Sequence, residues 1–289
     1  MAEIHDQPDE NATMKSQYFL NIDSDIPITQ NNNGLSVPLE DISVEHLTFR
    51  YNQLSDNVLQ NISIRIPAGK VTAIVGASGS GKTTLLKLLL GFYQPVQGEI
   101  HIGSTPLQTI LPAAWRKRCG TVMQDGFIFS DSIANNIAES DEYPNKDRLK
   151  QAVNIANIES FIHSLPLGYN TNIGARGNGI SQGQRQRLLI ARAVYKNPDY
   201  LFFDEATNAL DANNERVIVE KLAKFYKGEL SVVPKTVVIV AHRLSTVTHA
   251  DQIIVLDKGQ VAESGTHRSL VEKKGFYYQL VKNQLELGN

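Results

Sequence analysis

Apolar positions along the chain fall into short blocks, and their spacing separates strands from helices. Residues Ile42–Phe49, Ile62–Ile66 and Val71–Val75 carry the alternating or continuous apolar pattern of strands. Gly81–Leu90 has helical spacing. Short strands follow near Glu99–Ile102 and Gly120–Met123. Residues 131–163 read as helix with two breaks. Leu165–Gly179 reads as loop, with Pro166 and glycines at 168, 174, 177 and 179. Ser181–Lys196 predicts a helix with a marked start: Ser181 as N-cap and Gln184 as its reciprocal partner three residues on. Tyr200–Phe203 is a fully apolar strand, and a helix over 212–226 leads to a strand at Thr236–Ala241. A strand pair, Ile253–Leu256 and Gln260–Glu263, precedes helices that run to about residue 285.

Strands alternating with helices predict an α/β fold with a mainly parallel sheet. The helical stretch over 131–196 interrupts that alternation and predicts a second lobe inserted in the core. Residues 1–40 show no sustained period, carry the breaker run Asn31–Gly34, and read as a linker. The 289 residues are ample for a buried core. No uncharged apolar run approaches the ~18 residues of a membrane span.

Charge changes the picture slightly. Lys and Arg number 28 against 30 Asp and Glu, a net −2. Residues 1–41 hold eight acids and one base, so they carry −7 and leave +5 on the rest. A mildly basic body suits an anionic ligand, while near-neutral charge overall argues against a dedicated nucleic-acid binder. A single cysteine, Cys119, excludes an internal disulfide.

The chemistry concentrates in a few places. Gly76, Ala77, Ser78, Gly79, Ser80, Gly81, Lys82 and Thr83 fit the phosphate-binding pattern G-x-x-x-x-G-K-[ST], preceded by an apolar strand and followed by a helix. There, backbone N–H groups can turn toward phosphate oxygens, Lys82 supplies a charge, and the Thr83 hydroxyl can reach Mg²⁺. The strand Tyr200–Phe203 runs into Asp204 and Glu205, an acid placed to hold Mg²⁺ or its water and a second placed to polarise an attacking water. Strands end at Gly76, Gln124, Asp204-Glu205 and His242. In an open parallel sheet those carboxyl ends face one crevice. Ile180–Gln184, read alone, is no more than a capped helix start.

Taken together these residues resemble the ATP-binding cassette of ABC transporters, from about Ile42 to the C-terminus. The resemblance implies a phosphate-loop NTPase core with a mainly parallel sheet, an antiparallel β subdomain and an inserted α-helical subdomain at about 125–196. Within it Tyr51 matches the aromatic residue that stacks on adenine, with Val58 near it, and Thr84 continues the phosphate loop. Gln124 matches the glutamine that joins Mg²⁺ and senses the membrane domain. Ser181, Gln182, Gly183 and Gln184 match the family signature, which binds the ATP of a partner subunit. Asn208, Ala209, Leu210 and Asp211 match the dimer-interface loop. Thr83, Gln124 and, through water, Asp204 match the metal positions. Lys82, Gln124, Glu205 and His242 match the catalytic ones, with Glu205 as base and His242 as the γ-phosphate switch. The chain departs from the family pattern at Ile180 and Gln182, where Leu and Gly are usual, at Asn208, where Ser is common, and at Asn172 and Ala175, where exporters often carry acids.

Phe129–Ile137 is similar to the exporter pattern, and Ile180–Asn214 and the tail are most similar to peptidase-containing bacterial peptide exporters. The resemblance thus implies ATP and Mg²⁺ as cofactors, a second cassette and a transmembrane domain as partners, and a place on the cytoplasmic face of the bacterial inner membrane. A soluble cassette acting on DNA or ribosomes is the alternative. It is disfavoured by the single phosphate loop and the lack of a long heptad run. A non-hydrolysing sensor is disfavoured by the presence of Glu205 and His242.

Overall fold

The structure is a computed structural model and describes residues 38–139, 141–174, 179–206, 210–231, 233–241 and 247–287. Two sheets carry it. The first is antiparallel, in the order β2–β1–β4–β5: Leu59–Ile66, Ile42–Phe49, Gln97–Ile102 and Thr105–Pro106. The second has six strands in the order β12–β11–β3–β10–β9–β6: Gln260–Gly265, Gln252–Asp257, Val71–Gly76, Thr236–Val240, Tyr200–Asp204 and Cys119–Val122. Its pairs are parallel except β11 with β12. The predicted mainly parallel sheet and antiparallel subdomain are both present.

Strand alternation sorts the core by face. On β10, Val238 and Val240 join one cluster, while Val237 and Ile239 point to the other side. The first cluster holds the antiparallel sheet, helix α1 (Lys82–Leu89) and helix α2 (Pro112–Arg118) against the large sheet. Trp115 of α2 is buried on Tyr200, with ring centroids 4.9 Å apart, and its Nε1 donates to the Leu89 carbonyl at 3.0 Å. That bond satisfies the one polar atom an indole brings into a core.

The helices α3 (Ile133–Ile137), α4 (Lys146–Ile155), α5 (Glu159–Ser164) and α6 (Gln182–Tyr195) share the second cluster with β6, β9 and helix α7 (Ala212–Tyr226). Helices α3, α4 and α5 occupy the 131–163 stretch predicted to be helical with two breaks, and α6 matches the helix predicted over Ser181–Lys196. A two-strand ribbon, β7 (Asp131–Ser132) with β8 (Asn172–Ile173), ties the start of that stretch to the segment read as loop, which therefore carries a short strand. Helices α8 (His267–Lys273) and α9 (Phe276–Leu287) complete the chain, with Leu270 and Tyr277 in a third cluster. Among the described residues no helix is long and apolar enough to cross a membrane.

Candidate nucleotide site

Parallel pairing brings the carboxyl ends of β3, β9, β10 and β6 to one edge. Val240 is in register with both Ile74 and Asp204, and Val122 with Phe203. The phosphate-loop residues, Asp204-Glu205 and the turn carrying Gln124 therefore issue from the same side of the sheet, as the sequence predicts. His242, Asn208 and Ala209 lie outside the described residues.

The loop from β3 to α1 needs its glycines. Gly81 has φ +99°, and a Cβ there would come within 2.5 Å of Leu59 Cδ2 and 3.2 Å of the Val58 carbonyl. The Val58 main chain thus lies close against Gly81. Ala77, Ser78 and Gly79 form an exposed crest, while Ser80 is buried and its Oγ has no hydrogen-bond partner. Lys82 is only 6% exposed, and its Nζ donates to the carbonyls of Gly76 and Ala77, each at 2.9 Å. Burial pushes its pKa down, and the charges of Glu205 and Asp204 hold it up in part. The ammonium is thus desolvated, turned into the loop, and bonded to neutral oxygens that a phosphate can replace with a stronger, charge-assisted partner.

Asp204 ends β9 at 1% exposure. Burial raises its pKa; the Thr83 hydroxyl, which donates to Oδ1 at 3.1 Å, lowers it in part. Its Oδ2 is buried without a hydrogen bond. An orphaned carboxylate oxygen beside a hydroxyl is a hard-oxygen donor set, the kind Mg²⁺ takes alongside waters and phosphate oxygens. No cluster of three or more His, Cys, Asp or Glu occurs among the described residues, which leaves this pair rather than an all-protein cage. The residues fit Mg²⁺, and Gln124, exposed in the turn after β6, stands on the same sheet edge.

Glu205 turns the chain off the strand with φ +53°, a left-handed conformation that costs about 1–2 kcal/mol in a residue with a side chain. Its N–H donates to the Val240 carbonyl at 3.0 Å, which fixes the turn. Non-glycine strain of this kind collects at functional sites.

The signature segment opens α6 as predicted. Ser181 Oγ accepts from the Gln184 N–H at 3.2 Å, and Gln184 Oε1 from the Ser181 N–H at 2.8 Å. No hydrogen bond among the described residues joins Ser181, Gln182, Gly183 or Gln184 to the phosphate loop. The next residue, Arg185, clamps α6 to the turn after Gln124, donating to the Gly126 carbonyl at 2.6 and 3.1 Å. Asp211 caps α7 and holds Asn214, which accepts from Asn157 at 2.9 Å; Asn157 in turn accepts from Arg187 of α6 through its carbonyl at 2.8 Å. Leu210 is buried in the second cluster.

Two features escape sequence reading. Thr84 is 6% exposed and its hydroxyl lies 2.9 Å from the Tyr51 hydroxyl, so its side chain holds Tyr51 rather than facing the loop's open side. Tyr93 sits edge-on to Tyr51 at 5.4 Å, and Phe49 at 5.1 Å. Tyr51 itself stays 48% exposed. Thr84→Val removes the tether and keeps the shape, so KM for ATP should rise about 2- to 10-fold with kcat nearly unchanged. Steady-state hydrolysis checks this, and a fall in kcat alone would refute it.

Fold and site define a phosphate-loop nucleotide-binding protein. The family model described as ABC transporter matches residues 59–208, just over half the chain, and the chain belongs to that family. It is 43% identical over 262 residues to the Toxin RTX-III translocation ATP-binding protein of Actinobacillus pleuropneumoniae, covering 89% of this chain and 36% of that one. It is 42% identical over 263 residues to the Leukotoxin translocation ATP-binding protein LktB of Mannheimia haemolytica, covering 90% of this chain and 36% of that one. The chain thus spans just over a third of the length of these relatives. A solved bacterial Atm1-family ABC exporter with ATP bound superposes with TM-score 0.81 at 36% identity, over 95% of this chain and 46% of that one. The fold is therefore the ABC ATPase fold.

Proposed function

We propose that this chain is the ATP-hydrolysing motor of an exporter, working as a pair of cassettes on the cytoplasmic face of a bacterial inner membrane. One observation carries the reading: Lys82 turned into the phosphate loop beside the Thr83–Asp204 pair, with Glu205 next in the chain. The names of the relatives, which concern toxin translocation, support a peptide or protein cargo and a transmembrane partner.

In this reading the loop N–H groups and Lys82 hold the ATP phosphates, and Tyr51, tethered by Thr84 and with Val58 near it, forms the adenine side. Thr83, Gln124 and Asp204 hold Mg²⁺, which when bound neutralises charge on the phosphate oxygens. Glu205 orients the attacking water and takes its proton, and His242 faces the γ-phosphate. Ser181–Gln184 serve the ATP of the second cassette, whose interface loop is Asn208–Asp211. The capped α6 start has no hydrogen bond to the phosphate loop among the described residues, which supports this division of the site.

A site split between two copies makes hydrolysis depend on concentration. Turnover per chain should climb with chain concentration until the dimer forms, and should then level off. Turnover that is flat across a hundredfold dilution below the dimer's Kd would refute the shared site.

A further inference from the structure

The second and third apolar clusters lie on the same face of the large sheet and do not close over its middle. One gathers Phe203, Ile218 and Leu222 under α7; the other gathers Val75, Ile253, Leu270 and Tyr277 under α8 and α9. Val71 of β3 and Ile239 of β10 are only partly buried and touch both. The seam between them is a cavity of about 510 Å³. That is within the range of roughly 300–1,000 Å³ typical of small-molecule sites.

The cavity has two unlike ends. Lys70 and Lys235, which precede β3 and β10, and Lys227, which ends α7, line one. Glu205 and Ala241, which follow β9 and β10, line the other. Lys70 is paired with Asp251 at 3.6 Å. Lys235 is different: it is 2% exposed, its ammonium lies 5.9 Å from the centre of the Phe225 ring, and no hydrogen-bond acceptor or carboxylate among the described residues pairs with it. Burial pushes its pKa down, and the Asp199 charge opposes that in part. The side chain is buried as a whole while its ammonium is not fully enclosed, so the charge has a cavity to face, and an anion there gains a charge-assisted partner.

We propose that this cavity binds a small amphipathic anion, a carboxylate on an apolar body. The carboxylate sits on Lys235, and the body lies against Val71, Val219, Ala223 and Ile239. Asp251 and Glu220 also line the cavity, and Asp251 is taken up by Lys70 and the Val71 N–H, so the orientation is set by the unpaired Lys235. The apolar tail then reaches the back of Glu205, so occupancy alters ATP turnover. That last step rests on the hydrolytic reading above; the binding itself does not.

The test uses 8-anilinonaphthalene-1-sulfonate, an anion on an apolar body, titrated into the chain by fluorescence. We expect one saturable site per chain, displaced by decanoate. Lys235→Met should weaken it about tenfold or more, and Ala223→Phe, which fills the cavity, should abolish it. Cooperative melting checks both folds, and Val219→Phe replaces Ala223→Phe if the latter fails to melt cooperatively. Absent saturable binding, or binding undiminished in both the charge and the filling variants, overturns the site. Decanoate at saturation should change ATP turnover at least twofold in the unmodified chain and not in the filled variant. Binding with unchanged turnover overturns the link to Glu205. A chain that binds the probe but hydrolyses no ATP overturns the motor reading and that link, and leaves the site standing.

Discussion

Glu205→Gln should lower ATP turnover by about 10²–10⁴-fold, the usual contribution of a positioned general base, while ATP affinity changes no more than a few-fold. Glutamine keeps the shape and hydrogen-bonding reach of the side chain and adopts the left-handed φ of +53° at a similar cost. It removes only the capacity to take a proton. Two electrostatic consequences oppose each other in the ground state. Lys82 loses an anionic neighbour that raises its pKa, and the phosphates lose a repulsive one. Binding therefore stays close to its starting value while the chemical step fails. The test is to measure nucleotide affinity with a fluorescent ATP analogue and phosphate release under saturating ATP. A variant that turns over at half the normal rate would remove Glu205 from the base role. The same loss with retained binding is expected of His242→Ala, on the family resemblance.

The parts of this site that were legible in the sequence are local ones. The phosphate loop sits in eight consecutive residues between an apolar strand and an amphipathic helix. The start of α6 is written in Ser181 and Gln184, and both bonds of the box form. Asp204 closes a strand whose every residue is buried, and Glu205 follows it. Helix α2 was not legible because Pro112–Arg118 presents one buried residue, Trp115, and ends in three bases. One apolar position makes no stripe. The first residues of β2, 59–61, carry no strand pattern for a related reason. Asn61 has φ +51°, and the β1–β2 register shifts between Leu47↔Ile62 and Phe49↔Leu59, which breaks the alternation where the strand begins.

Long-range side-chain ties are a different matter. Tyr51 meets Thr84 across 33 residues, and Arg185 meets the Gly126 carbonyl across 59. Nothing periodic marks such pairs, because they depend on how elements pack rather than on what each element is. Yet they connect segments that the sequence singles out. Arg185 joins the helix of the signature segment to the turn after Gln124, and Asn157 joins that helix to Asp211 through Asn214. These bonds link α6 to the turn after Gln124 on one side and to the start of α7 on the other. Short hydrogen-bonded chains between rigid elements are the physical means by which such coupling travels.

Lys82→Met should weaken ATP binding by about 2–5 kcal/mol, the cost of truncating one member of a buried, hydrogen-bonded charge pair, or roughly 30- to 4,000-fold. The free protein should barely notice. Methionine fills the volume of the lysine stem, and the change removes an ammonium whose burial is itself unfavourable. What is lost in the free state is two hydrogen bonds to the Gly76 and Ala77 carbonyls. Ala77 is on the exposed crest of the loop, so water can take over there. The two effects offset, and thermal stability should move by no more than about 1 kcal/mol. Affinity and stability are thus expected to separate: a large loss in nucleotide titration beside a nearly unchanged melt. An affinity within threefold of the original would mean that the backbone N–H groups hold the phosphates without Lys82. A large drop in melting temperature would mean instead that the lysine's bonds to its own loop are structural.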